Sequence, residues 1–149
     1  MHEVDLTRHI SCEVCDVSVS GGYDSELNQV VICQNVTRSE GMTQGVLTHE
    51  LIHMFDYCRN KLDFKNLEHL ACTEIRAANL AHCSFLSAFS QGDASPIKIA
   101  KAHQAEAREV VDRVFDRCYN DLEPIGRRIR RNSLDMHKAY KERYAYGYD

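Results

Sequence analysis

Two histidines four residues apart, with a glutamate beside the first, form the segment His49-Glu50-Leu51-Ile52-His53. On an α-helix, positions i and i+4 share a face with their Cβ atoms about 5–6 Å apart. Two imidazoles so placed converge on one ion, and zinc is the ion that suits them. Glu50 follows His49, which puts its carboxylate beside such an ion rather than on it. From there it takes a proton from a water molecule whose pKa the metal lowers to about 7. This is the zinc-protease pattern. With eight His in 149 residues, chance alone produces it in about three of a hundred shuffled chains, so context has to carry part of the argument.

Such a centre needs a third protein ligand, and Glu74 is the preferred one. It lies 21 residues beyond His53, on the side of a helix that also carries Leu67, Leu70, Ala71, Ala77, Ala78 and Ala81. A carboxylate among small apolar residues needs a partner, because burying it alone is costly or forces its protonation. The bland alternative is a surface pair with Arg76 or with a lysine. His69 is the rival ligand, and it sits about 140° around the helix from Glu74, so the two do not face one ion. Asp56, on the metal side of the first helix, is read either as an acceptor for a ligand imidazole N–H or as a solvated helix-end acid. Val30-Val31-Ile32-Cys33 is read either as the strand that pairs with an extended substrate or as core alone. Tyr57, His69, Arg76 and His82 are all candidates for oxyanion stabilisation.

The elements that must hold these residues follow from periodicity. Leu47, Leu51, Met54 and Cys58 fall on one face of a helix over residues 42–58, away from His49 and His53. Thr37 and Glu40 suggest a capping box before it. Asn66 is an N-cap for a second helix over 67–89. Ser95 and Pro96 open a third, running to about residue 120, with Ile97, Ala100, Ala107, Val111, Val114 and Cys118 on one side. Gln29 to Cys33 is a β-branched strand. Gly21-Gly22 is read as a turn, and residues 1–20 are assigned no element.

The whole chain, 149 residues and 17.1 kDa, reads as one domain, with a core over about 12–124 and a basic, Tyr-rich tail over 125–149. Hydrophobic residues make up 44% and charged ones 27%, which argues against wholesale disorder or a coiled-coil rod. A net charge of −4 speaks against a dedicated nucleic-acid binder, and no nucleic-acid partner is predicted. No run of 18 apolar residues is present. The first ten residues read as neither a secretory signal nor an Arg-rich transit peptide. Arg127, Arg128, Arg130 and Arg131 form a basic cluster, read as a solvated face with anionic headgroups as the sharper alternative.

Seven cysteines imply disulfides, metal or redox work. Cys12-x-x-Cys15 either joins Cys33 and His9 around a structural zinc or enters disulfides. Disulfides are the preferred reading, since no second Cys-x-x-Cys exists. Cys72 and Cys83 are candidates to tie the second helix to its neighbours.

Several stretches together give the chain a family likeness: Cys12-Glu13-Val14-Cys15, Gly21-Gly22-Tyr23-Asp24, Val31-Ile32-Cys33-Gln34-Asn35, Thr48 to Asp56, His69 to Leu80, and Val114 to Asp121 with Pro124. In these it resembles the mitochondrial inner-membrane metalloproteases that mature and help assemble the ATP synthase. The resemblance implies an α+β, zincin-like fold of the gluzincin type: a small sheet, a zinc helix, a glutamate helix and C-terminal helices. It implies zinc on His49 and His53 and Glu50 as catalytic base. It implies an endopeptidase in the intermembrane space, peripheral to the inner membrane, that removes the leader of the ATP synthase membrane subunit 6 precursor. It also implies an assembly-chaperone role separable from proteolysis, and some members are described as binding the Ku DNA-repair protein. One departure is that residues 84–94 lack the basic stretch and cysteine that the family carries there. A non-proteolytic chaperone and an inactive zinc-stabilised module are the alternatives; the latter needs a fourth ligand that the sequence does not supply.

Overall fold

The computed structural model describes residues 3–60, 62–81 and 104–126. Among these the architecture is α+β: a three-stranded sheet followed by helices. The strands are β1 (Ile10–Glu13), β2 (Gly21–Asp24) and β3 (Gln29–Cys33). The helices are α1 (Leu6–His9), α2 (Glu40–Asn60), α3 (Leu67–Ala81) and α4 (Gln104–Asn120). Of the predicted elements, residues 82–89 and Ser95, Pro96, Ile97 and Ala100 lie outside the described residues. So do His82, Cys83, the arginine cluster and the Tyr-rich tail.

β3 is the central strand, in the order β1-β3-β2. Its β-branched run suits a pleated surface, and Val30, Ile32 and Cys33 are buried. β1 runs parallel to it, with Ile10 opposite Val30 and Cys12 opposite Ile32. β2 runs antiparallel, with Gly22 opposite Val31 and Tyr23 opposite Val30.

The glycine pair is therefore strand rather than turn. A Cβ on Gly21 would come within 2.4 Å of Val46 Cγ1 and 2.7 Å of the Val31 carbonyl oxygen, so only glycine lets β2 lie this close to α2. The turn comes later. Asp24 Oδ1 accepts from the Glu26 and Leu27 amides, and Asn28 takes a φ of 51°, a conformation asparagine tolerates. The first twenty residues, assigned no element above, contain α1 and β1. Asp5 caps α1 by accepting from the Thr7 amide.

α2 starts on Ser39, not on Thr37. Ser39 Oγ accepts from the Met42 amide at 3.3 Å, while the Thr37 hydroxyl donates to the Ser20 carbonyl at 3.0 Å. α2 then buries two flanks. Val46 and Met54, with Leu47 and Leu51, pack against Val30 and Ile32 of the sheet. Ile52 packs against Ala77 and Leu80 of α3, with Leu122 and Ile125 beside them. Cys58, expected on the packed face, is exposed.

Asn66 Oδ1 accepts from the Glu68 amide at 2.9 Å, the expected cap of α3. The face of α3 differs from expectation. Buried residues are Thr73, Ile75, Arg76, Ala77, Asn79, Leu80 and Ala81, whereas Leu67, Leu70, Ala71 and Ala78 are half-buried. The cause is that α3 lies between α2 and α4, which covers it on two sides. α4 packs Val114 and Cys118 against Ile75. No helix of the described residues is long and apolar enough to cross a membrane.

Candidate metal centre

His49 and His53 stand one turn apart on α2, and Glu74 faces them from α3. Their ligand atoms all lie within 4.8 Å of one another. His49 Nε2 is 3.1 Å from His53 Nε2 and 3.6 Å from Glu74 Oε2, and His53 Nε2 is 3.7 Å from Glu74 Oε1. A tetrahedral zinc with ligand bonds of about 2.0–2.1 Å has ligand–ligand edges of about 3.3–3.4 Å. The three observed spacings bracket that edge, and two imidazole nitrogens with a carboxylate oxygen are donors zinc accepts. The residues present therefore fit the ion. Among the described residues the group has three members, the number a catalytic zinc takes from its protein.

Glu74 pairs with the two histidines and not with Arg76, which removes the surface-pair reading. His69 turns elsewhere: its Nδ1 accepts from the Asp63 amide at 3.1 Å and ties the loop before α3 to the helix. Glu50 is buried on α2 beside His49, 9% exposed, and stands outside the converging trio.

The electrostatics follow from burial. His53 is held down to about 4, chiefly because burial penalises its cation; His49 adds to this and the Glu74 carboxylate opposes it. For Glu74, burial pushes the carboxyl up, but the hydrogen bond from His49 and the nearby His53 outweigh it, and the net direction is down. The trio thus favours a bare imidazole and an ionised carboxylate, the protonation states in which these groups bind metal.

Behind the trio lies a buried polar chain. His53 Nδ1 is 2.9 Å from Thr73 Oγ1, and the Thr73 hydroxyl donates to Asp56 Oδ2 at 2.9 Å. Arg76 Nε donates to both Asp56 oxygens at 3.0 and 2.9 Å. Arg76 also reaches the carbonyls of Asp121 at 2.7 Å and Glu123 at 2.5 Å. Arg59 pairs with Asp121 at 2.7 Å and with Glu123. Burial pushes the Asp56 carboxyl up, against the bonds from Arg76 and Thr73. Arg76, 1% exposed and always charged, nonetheless requires an anion there.

Asp56 is thus neither a solvated acid nor a direct acceptor for a ligand imidazole; Thr73 stands between them. Sequence reading missed Thr73 and offered Arg76 only as an oxyanion donor or a surface partner, and Arg76 is engaged with Asp56 and with the carbonyls of Asp121 and Glu123. The available signal was a stripe of polar residues, Thr73, Arg76 and Asn79, at three-residue steps along α3. Tyr57 is half-buried and stacks on Phe64, with ring centroids 5.9 Å apart.

The cysteines form two disulfides among the described residues, Cys15–Cys33 and Cys72–Cys118. The structural-zinc reading of Cys12, Cys15, Cys33 and His9 is overturned. Two of its sulfurs are bonded to each other, Cys12 is exposed, and His9 Nδ1 accepts from the Asp5 amide.

Comparison with known proteins gives the chain a family. The Peptidase M76 family matches residues 2–106. The chain belongs to the peptidase M76 family. It is 42% identical over 159 residues to the mitochondrial inner membrane protease ATP23 homolog of Danio rerio, which covers 93% of this chain and 63% of that protein. It is 39% identical over 161 residues to the human homolog, covering 96% of this chain and 63% of the relative. It is 35% identical over 138 residues to the mitochondrial inner membrane protease ATP23 of Kluyveromyces lactis, covering 78% and 56%. The chain thus spans under two thirds of the length of these M76 relatives. No solved structure matches it significantly. The family match contains the whole α2–α3 pair and with it His49, Glu50, His53, Thr73 and Glu74.

Proposed function

We propose that this chain is a zinc-dependent endopeptidase with a zincin-like arrangement of helices, in which His49, His53 and Glu74 hold the ion and Glu50 is the catalytic base. The observation that carries this reading is the convergence of two imidazole nitrogens and a carboxylate oxygen at 3.1, 3.6 and 3.7 Å. Zinc bound there supplies the positive charge that polarises a scissile carbonyl and acidifies the attacking water. Glu50 accepts the proton from that water and returns it to the leaving amine nitrogen. Burial of Glu50 raises the strength of its interaction with that proton by removing competing solvent.

An extended peptide is accommodated by a free sheet edge. β3 has both edges paired, so it is not the strand for this task. Among the described residues β2 is an edge strand, and it leans on α2 through Gly21 and Val46, three residues before His49. Ser20 pairs with Cys33 through a 3.0 Å hydrogen bond. Alternation along the ladder then leaves the main-chain groups of Gly21 and Tyr23 facing outward for a substrate backbone.

On the strength of its relatives' names, mitochondrial inner membrane proteases, we propose that the chain works at the mitochondrial inner membrane, and from the family resemblance that it does so in the intermembrane space, peripheral to that membrane. The two disulfides suit an oxidising compartment. The substrate proposed from the family resemblance is the precursor of the ATP synthase membrane subunit 6, with a part in assembly of that enzyme.

The test is cleavage of that precursor's leader peptide by purified zinc-loaded protein. Glu50→Gln should lower the rate by about 10²–10⁴-fold while zinc content stays unchanged. Cleavage that survives the change removes Glu50 as base. Failure of wild type to cleave while it still rescues assembly favours the chaperone reading.

A further inference from the structure

We propose that Thr73 is a positioning residue for His53: it fixes the imidazole as the Nδ1–H tautomer and so aims the bare Nε2 at the metal centre. The inference rests on the zinc reading above and extends it to a residue that touches no ion.

The argument is one of donors and acceptors. A neutral imidazole carries one proton, on either nitrogen, and the neighbour at each nitrogen decides which. A hydroxyl can both donate and accept, so Thr73 alone would leave the choice open. Thr73 does not stand alone. Asp56 Oδ2 lies 2.9 Å from its oxygen, and an ionised carboxylate accepts only. The Thr73 proton is therefore spent on Asp56, and the oxygen that faces His53 Nδ1 at 2.9 Å has only lone pairs to offer. Nδ1 must carry the proton, and Nε2 is left bare beside His49 Nε2 and Glu74.

Asp56 keeps its charge because Arg76 holds both of its oxygens. Arg76 is itself held by the carbonyls of Asp121 and Glu123, so the turn after α4 is the outer end of the same chain of bonds. All three inner members, Thr73, Asp56 and Arg76, are at most 2% exposed. In that setting no solvent competes for their protons, and the direction of each bond is set by the protein. The hydroxyl is thus the switch point that turns a buried ion pair into a defined imidazole tautomer.

The experiment has two readouts that are independent of peptidase activity. The first is the nitrogen spectrum of histidine-labelled, zinc-free wild type: His53 is expected to carry its proton on Nδ1, with Nε2 bare. The second is zinc affinity by chelator competition. Thr73→Val keeps the shape but removes the acceptor, and should weaken zinc binding about 10–100-fold, whereas Thr73→Ser should restore it.

A proton on His53 Nε2 in wild type overturns the proposal. So does a folded Thr73→Val protein that keeps zinc affinity within about twofold of wild type, well short of the loss typical for such partners. If Thr73→Val does not fold, the wild-type spectrum and Thr73→Ser still decide. If wild type binds no zinc at all, the metal reading fails, while the spectrum separately confirms or overturns the tautomer.

Discussion

α2 is buried on two flanks that work by different physics. Toward the sheet it presents Val46 and Met54 to Val30 and Ile32. Toward α3, beside the apolar contact of Ile52 with Ala77 and Leu80, it presents His53 and Asp56 to Thr73, Glu74 and Arg76. The first flank is held by area removed from water, which is non-directional and tolerates exchange of one apolar shape for another. The second adds directed bonds in which each group depends on its neighbour, and a missing member leaves a buried charge or donor exposed to its full desolvation cost. Met54 and Asp56 are two residues apart, yet they should differ sharply in how much a substitution costs.

The largest effect is expected on the polar flank. Arg76→Met removes the guanidinium that neutralises Asp56 and anchors the turn after α4. It should destabilise the protein by about 3–5 kcal/mol, measured by urea unfolding. A loss below about 1 kcal/mol, the size of an exposed pair, would erase the contrast between the flanks.

Next is acid. His53 has a folded value of about 4 against an ordinary value near 6.5. Its neutral form is favoured in the fold, so this contribution is fully present above about pH 6.5 and disappears as pH falls toward 4. Stripped of metal, the protein should lose about 3 kcal/mol across that window. The slope should flatten in His53→Gln. A wild-type profile no steeper than that variant's would remove His53 from the acid response.

On the apolar flank the sharpest probe is steric. Gly21→Ala drives a methyl into Val46 and the Val31 carbonyl. It should cost about 1–3 kcal/mol by overpacking and separate β2 from α2, read as a lower melting temperature. The smallest effect is Met54→Leu, a swap of similar volume, expected to cost less than about 1.5 kcal/mol with zinc affinity unchanged. A Met54→Leu protein that loses zinc would show that the two flanks are not independent.

What could be seen in the sequence divides along the same line. The proposed ligand pair His49 and His53, and the caps and periodicity of each helix, depend on spacing within one helix, and spacing is written in the chain; Glu74 is picked out by its place on the face of a second helix. Asn66 as cap and Glu74 over His69 follow from such local geometry. The Thr73–Asp56–Arg76 chain does not, because it exists only once α2 and α3 have a relative rotation, which no single helix specifies. β2 was hidden for a related reason. Gly21-Gly22 has the local signature of a turn, and its use as strand is dictated by Val46, a residue 25 positions away. Cys15–Cys33 likewise depends on strands brought side by side, which spacing alone does not predict.

The separation of partners along the chain also bears on the order in which the structure forms. Thr73 meets His53 across 20 residues, and Arg76 meets Asp56 across the same interval. The bonds from Arg76 to the turn after α4 span 45 and 47 residues. Closing the shorter loops loses less chain entropy. On loop length alone the helical hairpin with its three converging groups is expected to form ahead of its bonds to the turn after α4. That turn would then be a late latch, fastening from behind a cluster already brought together.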